Sequence, residues 1–479
     1  MTRLAGELSP AERRRIALDA ARDALAALDR LQAEPALELT DVRRVVAIVA
    51  SSRGGSSLLH RLLSDHPDAL SIGGEHTVVY KLSGLERGAD GSDVLDVRST
   101  LMDQRQLAAD FMALLSAAPA TTRWRSTEYA ATITRRLALQ WPLEKVTYAS
   151  VLRAVKSVGS QRPRADATTV FSAVLDHLAV EHPGLDRHYY DLPSVRGRAV
   201  SGRCEPPAGG FFIEEPPFVA PAPRTAPTAD DLARKPVVIK ASVDAYRLPL
   251  LRRIFPEAEI RLVHLTRNPA ASINGLYDGW RDRGFFSYDV SDQALLSIPG
   301  YSELTPPARR WWNFDIPPDW RQHVASPLEY VCAAQWRGAH IAILESLNAA
   351  EADRILRLAL EEVLDLSTRA TALARLFAFV GLDPRRAPDD LPVVMATTTP
   401  RRARWRERAG NILPALDDQG TRAVARELGY PWEGSDAWIL RTPPPTTGRA
   451  GAFVPAAWNR KSRPGTCGRP CRWPATTTS

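Results

Sequence analysis

The sequence contains few cysteines, no long apolar run and no leader-like N-terminus. Four cysteines in 479 residues do not predict a disulfide framework, and a reducing cytoplasm is the simplest compartment. The apolar runs fall short of the roughly 18 residues that a membrane-spanning helix needs. The first residues carry acidic side chains and lack the apolar centre of a signal peptide. We therefore expect a cytoplasmic protein without an integral membrane segment.

The chain also lacks a tract of one charge sign. Lysines and arginines number 62 against 55 acidic residues, which gives a net charge of +7. The basic residues are dispersed, so nucleic acid is not a predicted partner, whereas a mild positive excess suits a small anionic ligand. Cys467 and Cys471 alone do not predict a metal site, because structural zinc needs four closely placed ligands.

The clearest pattern in the sequence is residues 45–63, VVAIVASSRGGSSLLHRLL. Six apolar residues predict a strand buried on both faces, and leucines at helical spacing follow a turn that contains Arg53, Gly54 and Gly55. A strand, a glycine turn and a helix N-terminus together are typical of an anion site, because free amides and the helix dipole favour negative charge. The stretch predicts an anion-binding loop and leaves the anion open.

Further along the chain, cations follow two other apolar strands. Residues 237–240 end at Lys240, and residues 260–265 lead to Arg267, followed by Asn268 and Pro269 as a helix cap and first turn. Alternating strand and helix units of this kind predict an α/β fold with a parallel sheet flanked by helices. A short strand at 69–72 is followed by Glu75 and His76, at the sheet edge where α/β proteins bind ligands.

These units predict a single α/β domain over residues 1–441. Its core comprises about 42–78 and 236–430, with an insertion of helices and loops over about 79–235. Residues 442–479 lack an apolar period, so we expect a disordered tail.

Helices are predicted at several places outside the strand–turn–helix units, namely 99–117, 127–140, 168–182, 328–347, 367–380 and 412–428. The segment 276–336 is rich in tryptophan and proline. It is predicted either to form a wall of a ligand pocket or to pack as a cover over the core.

The loop at 50–57 departs from a Walker A motif. If Gly55 is the second glycine of that motif, Ser56 stands where the phosphate-binding lysine is required, and no strand ends in a Walker B aspartate. An ordinary ATPase or GTPase is therefore disfavoured. Monovalent cations at strand ends suit the transfer of a group with less charge than a γ-phosphoryl group.

Two separated motifs resemble those of the bacterial sulfotransferases that use 3′-phosphoadenosine 5′-phosphosulfate (PAPS). ASSRGGSSLL is similar to the family's 5′-phosphosulfate loop, and RLVHLTRNPAASINGL to its 3′-phosphate motif. VVIKASVDAYRLPLLRRIFPEAEI matches the lysine-containing strand and the helix between them. The resemblance implies a three-layer P-loop-type fold, PAPS as donor without a metal, and a small-molecule hydroxyl as acceptor.

The resemblance also assigns roles to residues. Arg53, Gly54, Gly55, Ser56 and Ser57 are expected to hold the 5′-phosphosulfate. Arg267 is expected to bind the 3′-phosphate, with Ser272 replacing the family serine whose position here is Gly275. The stretch RARWRER is expected to close over that phosphate through Arg402 or Arg404.

The resemblance further implies a set of catalytic groups. Lys240, or Arg53 in its place, is expected to face the bridging oxygen of the donor. Many eukaryotic members have a histidine base where this chain has Ser242, so we expect Glu75 to act as general base, with His76 as second candidate.

Two other functions remain open at this point. One is a nucleotide-dependent small-molecule kinase with a degenerate phosphate loop, and the other is a non-catalytic nucleotide-binding protein. For a sulfotransferase, the acceptor class remains a lipid, a glycan or a secondary metabolite, and no oligomeric state is predicted.

Overall fold

The computed structural model describes residues 10–32, 37–95, 103–119, 124–161, 165–193, 212–282, 288–347 and 349–430. The predicted tail and the pair Cys467 and Cys471 lie outside these ranges. Within them, no helix is long and apolar enough to cross a bilayer.

The strands of the described chain are β1 (Arg44–Val49), β2 (Leu70–Ser71), β3 (Ser116–Ala117), β4 (Val237–Lys240), β5 (Glu259–Thr266), β6 (Tyr288–Asp289), β7 (Trp311–Trp312) and β8 (Ile355–Ala359). The α-helices are α1 (Pro10–Gln32), α2 (Ser56–Ser64), α3 (Thr77–Leu82), α4 (Gln104–Leu114), α5 (Ser126–Gln140), α6 (Tyr148–Gln161), α7 (Ala167–Leu178), α8 (Ala229–Arg234), α9 (Leu248–Ile254), α10 (Pro269–Arg281), α11 (Leu328–Ser346), α12 (Leu360–Leu364), α13 (Arg369–Val380), α14 (Ala409–Leu416) and α15 (Gln419–Glu427).

The main sheet has six strands in the order β3-β2-β4-β1-β5-β8. All neighbours are parallel except the edge pair β2 and β3. The predicted α/β class, with helices around a mostly parallel sheet, is confirmed. Because β1 lies between β4 and β5, the carboxyl ends of these three strands meet at one point of the sheet, the position where open α/β folds bind ligands.

Strand β1 is buried on both faces, as its apolar run predicts. Val45, Ala47 and Val49 contribute to the core on one side of the sheet. Val46 and Ile48 contribute to the core on the other side, with α2 and α13. Alternate side chains of β1 therefore pack against the helices on the two faces of the sheet.

The predicted insertion adds both a strand and a helical cluster. Helices α5, α6 and α7 pack around their own apolar core. The prediction of one helix over 99–117 is wrong at its end, because residues 116–117 form β3 and pair with β2. Helix α6 was missed, although Val151, Ala154, Val155 and Val158 carry the spacing of a buried helical face.

The aromatic segment at 276–336 packs as a cover over the core. Trp280, Trp312 and Trp320 are at most 1% exposed and lie in an apolar core with α10, α11, α14 and α15. Among the residues of this segment that the structure describes, Phe314 alone lines the main cavity described below. The helix predicted at 412–428 is two helices, because Asp418 caps a new one through the amides of Gly420 and Thr421.

Candidate active site

The loop between β1 and α2 has a left-handed backbone at two positions. Arg53 has φ 60° and Gly55 has φ 96°. A Cβ on Gly55 would lie 2.7 Å from a methyl carbon of Leu360. Glycine is therefore required at position 55 both by conformation and by space. The result is a tight turn that presents the first amides of α2 to the cavity.

A buried carboxylate that the sequence reading missed supports this loop. The Ser52 hydroxyl donates to one oxygen of Asp315, and the Tyr246 hydroxyl donates to the other at 2.9 Å. Burial raises the pKa of Asp315 to about 6. Asp315 lies 263 residues from Ser52 along the chain, and no local pattern connects the two.

Arg53 and Arg267 lie next to each other at the ends of β1 and β5. Arg267 Nη1 donates to the Arg53 carbonyl at 2.8 Å, and Arg53 Nη1 donates to the Met395 carbonyl at 2.7 Å. Burial and the neighbouring Arg267 charge lower the pKa of Arg53 to about 10, and burial also lowers the pKa of Arg267. Both remain cationic at neutral pH, so two like charges face one cavity and favour an anion there.

Lys240 and Glu75 form an ion pair at the end of β4. Lys240 Nζ also donates to the Ser57 hydroxyl at 3.2 Å. The lysine side chain is 7% exposed and that of Glu75 is 41% exposed. Two of the four residues that the sequence analysis proposed for catalysis are thus in contact, and the carboxylate is open to the cavity.

His76 lies away from the cavity. Its side chain is 2% exposed, and its Nε2 lies 3.1 Å from the Tyr80 hydroxyl and 3.1 Å from the Asp244 carboxylate. An imidazole enclosed in this network does not reach an acceptor hydroxyl, so we do not retain His76 as a base candidate.

Helix α10 contributes to the cavity through Ala271, Asn274 and Gly275, but not through Ser272. Ser272 is fully buried, so the geometry gives no support to its expected phosphate contact. A Cβ on Gly275 would lie 3.4 Å from Arg267 Nη1 and 3.5 Å from the Cβ of Arg53. The position of the family serine therefore faces both arginines directly.

Arg402 and Arg404 both line the cavity. Arg404 is 18% exposed and pairs with Asp278 of α10. Arg402 is 69% exposed and donates to Asp365 at 2.9 Å. Arg404 is the more enclosed of the two and lies close enough to Arg267 to affect its pKa.

These residues surround one cavity of about 880 Å³. Its wall also includes residues 391–398 and the carboxylates Glu214 and Glu215, which the sequence analysis placed only within the predicted insertion. Lys81 Nζ donates to Glu215 at 2.8 Å, and burial raises the pKa of Glu215. Within the described ranges, no three side chains of the metal-ligating types come together.

Fold and site together define a class: an α/β protein whose mostly parallel sheet carries arginine and lysine side chains at adjacent strand ends, around one cavity. A model described as the sulfotransferase family matches residues 46–293, more than half of the chain. The protein belongs to the sulfotransferase family, and its activity is sulfuryl transfer.

Three solved structures are also similar to this chain. The sulfotransferase domain of the Synechococcus PCC 7002 olefin synthase is 13% identical, with 81% of this chain and 95% of that chain covered and a TM-score of 0.32. The sulfotransferase domain of the curacin biosynthetic pathway is 11% identical, with 81% of this chain and 98% of that chain covered and a TM-score of 0.31. A Mycobacterium avium sulfotransferase is 13% identical, with 85% of this chain and 84% of that chain covered and a TM-score of 0.29. A search of curated proteins gave no match. The family match alone carries the assignment.

Proposed function

We propose that the protein transfers the sulfuryl group of PAPS to a hydroxyl of a small-molecule acceptor. One observation carries this proposal. Arg53, Lys240 and Arg267 meet at the adjacent ends of three parallel strands, and Glu75 contacts the lysine at the same point.

The donor's two anionic ends match two groups of residues. Arg53 and the first amides of α2, reached through Gly54 and Gly55, suit the 5′-phosphosulfate. Arg267 and Arg404, which both line the cavity, suit the 3′-phosphate. A cavity of about 880 Å³ accommodates a nucleotide of this size.

The transfer step is assigned to Glu75 and Lys240. The acceptor oxygen forms a bond to sulfur while the bond between sulfur and the bridging oxygen breaks. Glu75 takes the hydroxyl proton, and the electron pair of the broken bond remains on the bridging oxygen, opposite Lys240. When Glu75 is protonated, its charge no longer holds the lysine, so Lys240 becomes available to the leaving oxygen.

Thermal-shift titration tests the donor assignment. We expect 3′-phosphoadenosine 5′-phosphate (PAP) to raise the melting temperature without magnesium, because its two phosphates meet Arg53 and Arg267. An Arg267→Gln variant should lose most of that shift. Stabilisation only by ATP with magnesium would indicate the kinase alternative instead.

The same titration separates donor binding from chemistry in a Glu75→Gln variant. It should retain the PAP shift and lose sulfuryl transfer by about 10²- to 10⁴-fold, the usual contribution of a general base. Glu215→Gln is the matched control, since it removes a second cavity carboxylate that does not contact Lys240. Full activity of Glu75→Gln would refute the base assignment.

A further inference from the structure

A second cavity of about 380 Å³ opens beside the first. The two cavities share Ser57, Glu75 and Lys240, together with the segment 392–395. The proposed base and the cation of the leaving oxygen thus stand on the boundary between them. A molecule in the second cavity is therefore next to the point where its hydroxyl would react.

Four arginines line the second cavity, beside the carboxylates Asp65, Glu75 and Asp191, and three of the four arginines have a carboxylate partner. Arg61 pairs with Asp65 at 2.5 Å. Arg136 pairs with Glu214. Arg135 lies 3.7 Å from an oxygen of Asp29. The charges of these three arginines are offset within the protein.

Arg224 differs from the other arginines of this cavity. It is 8% exposed and donates to three neutral oxygens, those of the Ser116 hydroxyl at 2.7 Å, the Ser116 carbonyl at 3.1 Å and the Ser64 carbonyl at 3.1 Å. Two of its five N–H groups remain beyond these bonds. The C-terminal carbonyls of α2 offset part of its charge. No carboxylate of the described residues forms an ion pair with it, although burial lowers its pKa to about 10 against the opposing effect of the Asp65 carboxylate.

His60 on α2 lies near enough to Lys240 and Arg224 to be affected by their charges. Its Nε2 lies 3.2 Å from the Ser71 hydroxyl at the cavity wall. Burial, with the charges of Lys240 and Arg224, lowers the pKa of His60 to about 3. The imidazole is therefore neutral and adds no charge of its own. A buried cation without an anionic partner is costly, and a ligand carboxylate removes that cost.

Much of the remaining wall is apolar, with Ile72, Leu114, Leu115, Val219 and Val394 among its residues. We propose that the second cavity binds the acceptor, and that the acceptor is an apolar alcohol with a carboxylate, which Arg224 binds while the hydroxyl reaches Glu75. This proposal rests on the proposed sulfotransferase function. A volume of about 380 Å³ lies at the small end of ligand sites and suits a compact molecule.

The test compares hydroxy acids with their own methyl esters. Terminal-hydroxy carboxylic acids of roughly six to twelve carbon atoms, which suit a cavity of this size, are assayed with PAPS against the matched esters. We expect kcat/KM for the best acid to exceed that for its ester by about tenfold or more, because the ester cannot offer a charged acceptor to Arg224.

Arg224→Gln keeps an amide donor near Ser116 and removes the charge, so it should collapse the ratio of acid to ester. Arg234→Gln is the control, since Arg234 is 74% exposed on α8 outside both cavities and its loss should leave the ratio unchanged. The wild-type comparison remains decisive if Arg224→Gln does not fold.

The outcomes separate this proposal from the one on which it rests. Failure of PAP to bind overturns the proposed function and the acceptor assignment with it. If PAP binds but the esters react as well as the acids, only the acceptor assignment is overturned. The acceptor assignment alone is also overturned if PAP binds but none of the acids is sulfated and none raises the melting temperature further.

Discussion

At the scale of single residues, Gly275 is the clearest departure from the family pattern. It faces Arg267 and Arg53 at distances that a Cβ can occupy in ordinary contact. Ser272, one turn earlier, is enclosed by the fold. This helix position therefore supplies no hydroxyl beside Arg267, the residue proposed to bind the 3′-phosphate.

We predict that Gly275→Ser strengthens PAP binding by about tenfold or more, because a hydroxyl bonded to a charged phosphate contributes roughly 1.5 kcal/mol or more. Isothermal titration calorimetry measures the change in Kd. Gly275→Ala fills the same space without a hydroxyl and should not tighten binding. Weaker binding by Gly275→Ser would mean that the side chain displaces Arg267.

At the scale of elements, the turn from β1 into α2 is defined by its backbone. Gly55 has a left-handed conformation and lies against the side chain of Leu360 at the end of β8. The turn is therefore shaped by its own φ angles and by a neighbouring strand that joins the sheet much later in the chain.

Gly55→Ala should lower the free energy of unfolding by more than the roughly 1–2 kcal/mol that a left-handed alanine costs, because Leu360 must also move. Gly84→Ala is the matched control, since Gly84 has φ 74° and no atom within 4 Å of its added Cβ. Urea unfolding compares the two variants. An equal loss of unfolding free energy in the two variants would show that the Leu360 side chain moves without destabilising the fold.

Elements with a strong local pattern were predictable from the sequence. The strands that end near Arg53 and Lys240 are mainly apolar and buried, and the strand before Arg267 is buried over its second half. Asn268 caps α10 through the Ala271 amide as expected. Glu75 was predicted at a strand end and does contact Lys240. Pattern and turn chemistry are local, so they are visible in one sequence.

Groups that reach the site from a distant part of the chain were not predictable. Asp315 meets Ser52 across 263 residues, and Met395 accepts from Arg53 across 342. Ser272 and His76 had suitable chemistry and spacing, but the fold buries both. Burial depends on packing between elements, which composition and spacing do not specify.

At the scale of the whole molecule, buried histidines connect stability to pH. His264 Nε2 lies 3.1 Å from His340 Nδ1 between β5 and α11, and both rings are at most 1% exposed. Burial lowers the pKa of His340 to about 3 and that of His264 well below its usual value. The unfolded chain takes up these protons near pH 6.5, so stability is lost as the pH falls below that value.

We predict that His340→Asn makes the free energy of unfolding less dependent on pH. Between about pH 6 and pH 4 the slope should fall by about 1.4 kcal/mol per pH unit, the value for one proton. Urea unfolding across that range measures it. His177→Asn, on α7 and outside this pair, is the control and should leave the slope nearly unchanged. An unaltered slope in His340→Asn would show that His340 is protonated in the folded state.

The pairing of β1 with both β4 and β5 has a consequence for how the site forms during folding. Its defining contacts join residues 165, 183 and 214 positions apart, those of Lys240 with Glu75 and Ser57 and of Arg267 with Arg53. Large loops must close before any of them exists, and contacts of this range are associated with slow folding. The loop between β1 and α2 is complete early in the chain, but Lys240 and Arg267 reach it only when the central sheet has closed.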